Sequence, residues 1–247
     1  MRARARVVAE SDGRGGTRLV TLRSEAPLVL RSTPDVLYLV GGAGGPLGGD
    51  DLTLEIVVGS GARLTVGTVA ASIALPGVGP SRVRVQATVA AGGELRWLPE
   101  PVVAAHRCRH QMEATVVLQA DARLAWREEL ILGRHAEPPG SVSSSASVDL
   151  GGAPLLRNAL AVGPEHPAAA GPAVTAGARA VGSVLLVGAP WAASPGSTVL
   201  GPTAVVLPLA GPGMQITALA ADASGLRRQL DHGMELTRSH TRCDAAP

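Results

Sequence analysis

Residues 41–72, GGAGGPLGGDDLTLEIVVGSGARLTVGTVAAS, join a glycine loop directly to alternating strand sequence. Phosphate-binding folds use such a loop to open a helix, whose N-terminus then holds the anion. Here the loop closes on Asp50 and opens a strand, with Leu52, Leu54, Ile56 and Val58 alternating with Thr53, Glu55 and Val57. Alternation of this kind turns one face of a strand into a core. Gly59-Ser60-Gly61 then turns the chain, and Leu64 and Val66 resume the pattern over 63–68. A dinucleotide fingerprint is excluded because Leu47 stands where its third glycine belongs, and the absence of any lysine excludes a P-loop.

The same period of two predicts further strands over 4–8, 18–22, 28–30, 36–40, 82–89, 94–98, 112–119, 123–132, 141–150, 181–187 and 203–209. No helical pattern interrupts the series, so a wound βαβ sheet is not expected. Small turns such as Ala90-Ala91-Gly92-Gly93 and Ala120-Asp121 suggest stacked hairpins or coils, and the loose repeat they mark has no exact period. The expected fold class is mainly β, with stacked β-helix-like sheets and a short C-terminal helix over 222–238. Asp222 suits the N-cap of that helix, and Leu226, Leu230 and Met234 recur every fourth residue. The Pro-, Ala- and Gly-rich segment 164–178 reads as a surface loop. The chain as a whole, 1–247, is taken as one domain.

Only 2% of residues are aromatic, with no Phe, so Val, Leu, Ala and Ile must fill the core. A net charge of +2 argues against nucleic acid as a partner. No apolar run reaches the length of a signal peptide or membrane span, so the expected location is cytoplasmic, with no membrane partner. Cys108 and Cys243 stand far apart in unlike contexts, which fits reduced thiols and not a disulfide framework.

Several collinear motifs over residues 35 to 190 resemble the UreD (UreH) family of urease accessory proteins. They are Gly48-Gly49-Asp50-Asp51-Leu52, Thr68 with Ala70-Ala71-Ser72, Leu95 with Trp97-Leu98-Pro99, and Glu128 with Leu132-Gly133-Arg134. Pro154-Leu155-Leu156 and the 181–185 strand also fit. The resemblance implies a non-enzymatic, β-helix-like scaffold for nickel delivery, with no tightly bound cofactor and nickel only in transit. It implies as partners the urease apoprotein, UreF and, through them, the GTPase UreG, in an assembly made dimeric by those partners. It also makes Asp50, Ser72, Glu128 and Asn158 candidates for a nickel path, with Gly48, Gly49, Thr68, Trp97, Pro99, Gly133 and Arg134 as motif residues of structural weight. Where the family carries a basic and then an aromatic residue after the serine, this chain has Ile73, Ala74 and Leu75. Asn158 stands where the family is acidic.

Taken by itself, Asp50 after two glycines reads as a turn residue bonded to nearby backbone. Glu128 and Glu129 are adjacent on a strand, so one is expected inside and the other in solvent. An internal Glu128 needs Arg, water or metal as partner, with Arg134 the near candidate. His106, Cys108 and His110 share one face if they lie on a strand, which makes them a weaker metal-ligand candidate. His240 and Cys243 form a second weak pair. The alternative functions are a β-rich metal-dependent enzyme using His106, His110 and Glu128, and a purely structural β-solenoid interaction domain.

Overall fold

The computed structural model describes residues 1–191 and 196–243. Its first strands are β1 (Arg2–Ser11), β2 (Thr17–Arg23), β3 (Leu28–Ser32), β4 (Leu37–Gly41), β5 (Asp51–Val58) and β6 (Arg63–Thr68). Then come β7 (Ser72–Ala74), β8 (Ser81–Val89), β9 (Glu94–Trp97), β10 (Val102–Ala104), β11 (Arg109–Leu118) and β12 (Arg123–Leu132). The chain ends with β13 (Ser141–Leu150), β14 (Ala153–Val162), β15 (Ala180–Val187), β16 (Thr198–Gly201), β17 (Ala204–Pro208), β18 (Gly213–Ala220) and the helix α1 (Ala223–Cys243).

Two sheets face each other across the core. One runs β14-β13-β11-β8-β5-β1-β2, the other β16-β17-β18-β15-β12-β9-β6-β4-β3. The chain passes back and forth between them, so that β5, β8 and β11 stack in parallel in the first and β6, β9 and β12 in the second. Short β7 and β10 pair in parallel and form a third side, with β10 continuing onto β12. This is the β-solenoid-like stack that the alternating strands and small turns predict. Antiparallel strands β14, β15 and β18 close its far end.

The stacking is a ladder of matched side chains. Leu64, Leu95 and Leu124 align across β6, β9 and β12, and each is buried. Full burial of one leucine contributes roughly 1.5–3 kcal/mol, so every added coil is stabilised by its neighbour's face. In the first sheet Asp51 aligns with Arg82, Arg82 with Gln111 and Gln111 with Ser143. These stations lie about 30 residues apart, in the range of solenoid repeats. Their spacing is unequal because the connecting loops differ, which is why no exact period appears in the sequence.

The helix starts where its cap predicts. Asp222 Oδ1 accepts the Gly225 N–H at 2.7 Å and the Ser224 hydroxyl at 2.9 Å. Leu226 and Leu230 are fully buried against the outer face of β15, β17 and β18, and the helix continues beyond residue 238 to Cys243. The side chains of His240 and Cys243 lie outside the described residues. Segment 164–178 is turn-rich, with a short 3-10 helix at Pro167–Ala170. It is anchored by Thr175, whose buried hydroxyl donates to the Ala169 carbonyl at 2.8 Å.

Candidate functional site

With no phenylalanine, the space between the sheets is filled by short aliphatic side chains and by Trp97 and Trp126, stacked with ring centroids 5.3 Å apart. Beside the 59–61 turn the filling is complete, and Ile56, Val58, Leu95 and Leu124 are sealed from solvent. Toward the other ends of those strands, gaps remain. Successive cavities of about 490, 100 and 330 Å³ occupy them. Asp50, Thr68, Ser72 and Arg134 wall the first; Thr68, Ser72, His110 and Glu128 wall the second; Glu128, Ser144 and Asn158 wall the third. Consecutive cavities thus share residues, Thr68 and Ser72 at one junction and Glu128 at the next. The four path candidates, Asp50, Ser72, Glu128 and Asn158, fall in that order along one series of spaces.

Asp50 is held as a turn residue. Its Oδ2 accepts the Leu47 N–H at 2.9 Å, and its Oδ1 meets the Met1 ammonium at 2.8 Å. Burial works to raise its pKa, but the Met1 ammonium and the Leu47 N–H outweigh that and hold it below the usual carboxylate value. The glycines before it are required by crowding. A Cβ on Gly48 would lie 2.6 Å from the Gly77 nitrogen and the Gly79 carbonyl oxygen, and Gly49 has φ +93°. Thr68 fixes the neighbouring strand end, donating to the Ala70 carbonyl and accepting the Glu100 N–H, both at 2.9 Å. Ser72 begins β7, its N–H bonded to the Pro101 carbonyl at 3.0 Å.

Glu128 lies in a recess where Trp126 Nε1–H donates to its Oε1 at 3.0 Å and the Ser144 hydroxyl to its Oε2 at 3.1 Å. Burial pushes its pKa up, and those two bonds only partly offset the rise. Arg134 is not its partner. That guanidinium is bound to Glu137 at 2.7 Å, just after the turn at Gly133. The expectation that Glu129 would be solvated also fails, because α1 covers the outer face of β12. Glu129 is buried there, with Arg227 Nε at 2.6 Å and Arg127 Nε at 3.1 Å from its Oε1. Arg127 reaches on to the Pro99 carbonyl at 3.1 Å, and Arg227 to Glu100 at 3.3 Å. Alternation within one strand shows which face a residue takes, but a helix from elsewhere in the chain decides what covers it.

His106, Cys108 and His110 do not share a strand face. Residues 105–108 form a turn, in which Cys108 N–H bonds the Ala105 carbonyl at 3.1 Å and Arg107 has φ +63°. His106 is exposed, Cys108 is buried against other apolar side chains, and only His110 belongs to β11 and reaches the middle cavity. Burial pushes the Cys108 thiol up to about 11, which leaves it protonated and a poor ligand. No group of three or more His, Cys, Asp or Glu side chains converges on a metal-binding geometry among the described residues. Ser144, Ser183, Gln215 and Thr217 also wall the third cavity. Nothing in their local sequence marked them, since the antiparallel strands that bring them together are distant in the chain.

The family model of the UreD urease accessory protein matches residues 1–247. The chain belongs to the UreD family. It is 46% identical over 258 residues to the urease accessory protein UreD of Parafrankia sp. (strain EAN1pec), covering 94% of this chain and 87% of that protein. It is 47% identical over 246 residues to urease accessory protein UreD 3 of Streptomyces griseus, covering 95% and 96% respectively. UreD 1 of Saccharopolyspora erythraea is 39% identical over 243 residues. This UreD-family chain therefore has a role in urease maturation. No described helix is long and apolar enough to cross a membrane.

Proposed function

We propose that this chain is a non-catalytic maturation factor that passes nickel through the series of cavities toward the urease apoprotein, within a complex containing UreF and UreG. One observation carries the reading. Four carboxylates wall the middle cavity, and Glu100, Glu113 and Glu129 are each paired with arginine. Glu128 has no cation partner among the described residues and receives only neutral donors. It is the place in the interior where a divalent ion gains most, because an arriving cation supplies the charge that burial denies the carboxylate. Carboxylate, hydroxyl and amide oxygens hold nickel less tightly than thiolates do, which suits transfer over storage.

The enzymatic alternative has lost its constellation, since His106 does not wall the cavity that His110 and Glu128 share. In cells lacking this chain, urease is expected to be expressed with a low nickel content. Asp50→Ala and Glu128→Ala are expected to leave the chain bound to its partners while urease nickel, measured on the purified enzyme, falls. Full nickel content with an intact complex would overturn the conduit.

A further inference from the structure

The middle cavity holds a nitrogen donor that the oxygen-lined route does not require. His110 is 2% exposed and is the second residue of β11, paired with Ser81 of β8, with Nδ1 2.8 Å from the Ser81 hydroxyl oxygen. That hydroxyl also lies 3.4 Å from the Arg109 carbonyl oxygen, so it can donate there while accepting from Nδ1–H, the tautomer on which the proposal below rests. Nε2 then carries a lone pair. No side-chain hydrogen bond to Nε2 is found among the described residues, and the His110 side chain walls the cavity.

We propose that His110 Nε2 is a selectivity station on the path, a neutral imidazole that a borderline divalent cation meets between Ser72 and Glu128. This rests on the conduit reading above. Imidazole favours nickel, copper and zinc, whereas magnesium and calcium prefer oxygen alone. A route built only from carboxylate, hydroxyl and amide would discriminate only weakly against magnesium. A hydrogen bond from the second ring nitrogen is the usual device for fixing a metal-binding histidine in one tautomer and orientation, and Ser81 supplies it.

The test uses the full chain copurified with its partners, with isotopically labelled histidine. Substoichiometric Ni²⁺ is expected to broaden the His110 ring signals selectively, with Zn²⁺ competing and about a hundredfold excess of Mg²⁺ leaving them unchanged. His110→Gln is expected to keep the fold by circular dichroism and to lower nickel loading of urease several-fold when magnesium is in excess. Ser81→Ala, which frees the ring without removing it, is expected to give an intermediate loss. Unchanged His110 signals under Ni²⁺, or magnesium tolerance equal to wild type in His110→Gln, would overturn the station. If Glu128→Ala still impairs loading in that case, the path stands without it; if Glu128→Ala is also silent, the path fails too.

Discussion

The contact between α1 and β12 depends on a buried charge cluster, and removing Arg227 tests what holds the helix in place. Arg227 Nε lies 2.6 Å from Glu129 Oε1, in a side-chain environment 1% exposed at the glutamate and 28% at the arginine. Loss of a charge-assisted hydrogen bond to a buried carboxylate costs about 1.5–3 kcal/mol. The longer contact to Glu100, at 3.3 Å and partly solvated, adds at most about 0.5 kcal/mol. Arg227→Met is therefore expected to lower unfolding free energy by about 2–3 kcal/mol. Arg127, still 3.1 Å from Glu129, keeps the carboxylate from being stranded. Glu129→Gln is expected to cost more, about 3–5 kcal/mol, since it leaves two arginines without their shared buried partner.

The two substitutions act on one interaction, so the double variant is expected to fall short of the sum by about 1–3 kcal/mol. Urea unfolding followed by the fluorescence of the Trp97–Trp126 pair measures all three, provided the urea slope stays constant. About 1 M salt should leave most of the effect in place, because a sealed pair is weakly screened. Additive single costs, or a loss under about 0.5 kcal/mol for Arg227→Met, would refute the claim that this cluster fastens the helix.

His110 predicts acid sensitivity. Burial pushes its pKa down to about 4, against about 6.5 in the unfolded chain, so the unfolded state binds the proton first as pH falls. Its stabilising effect is complete above pH 6.5 and is lost as pH drops through 4, a total of about 3 kcal/mol; His110→Gln should flatten that part of the stability profile. Gly182 predicts a steric effect, since a Cβ there would lie 2.9 Å from the Glu128 carbonyl oxygen and 3.0 Å from Leu226 Cδ2. Gly182→Ala should cost about 1–3 kcal/mol and speed hydrogen exchange in α1, and normal exchange would mean the helix does not sit as described.

Legibility in the sequence followed the strength of each local pattern. Strands with one buried face, such as Arg63–Thr68 and Arg123–Leu132, are found where alternation places them. β14 was not expected, because it lies at a sheet edge with half its residues exposed and shows no alternation to read. β7 and β10, at three residues each, are too short for a period. β18 carries alternation, with Met214, Ile216 and Ala218 on its buried face, but the glycines and prolines that precede it break the pattern short. At the site, Asp50 was readable as a turn residue from its glycines alone. Of the partners of Glu128, Trp126 stands two residues earlier on the same face of β12, whereas Ser144 comes from the other sheet and no spacing along β12 announces it.

The two carboxylates of the proposed route are displaced in opposite directions, and that difference bears on how a cation would move. Asp50, beside the Met1 ammonium, stays ionised to lower pH than a free aspartate, with its charge already compensated. Glu128 retains its proton to higher pH than a free glutamate, because the recess offers it an indole N–H and a hydroxyl but no positive charge. A cation entering past Asp50 must displace or share an existing ion pair, which keeps binding at the mouth weak. Deeper in, it meets a carboxyl whose proton burial helps to retain, and binding competes with that proton, so hold at Glu128 is expected to strengthen with pH. Replacing Glu128 by Gln removes that proton exchange while preserving size, its amide oxygen still accepting the Trp126 N–H and its NH2 facing the Ser144 hydroxyl oxygen as a donor. Nickel loading by Glu128→Gln should therefore be low and lose most of its pH dependence, measured as urease nickel content between about pH 6 and 8. Loading by Glu128→Gln that keeps the wild-type slope would place the proton-coupled step elsewhere.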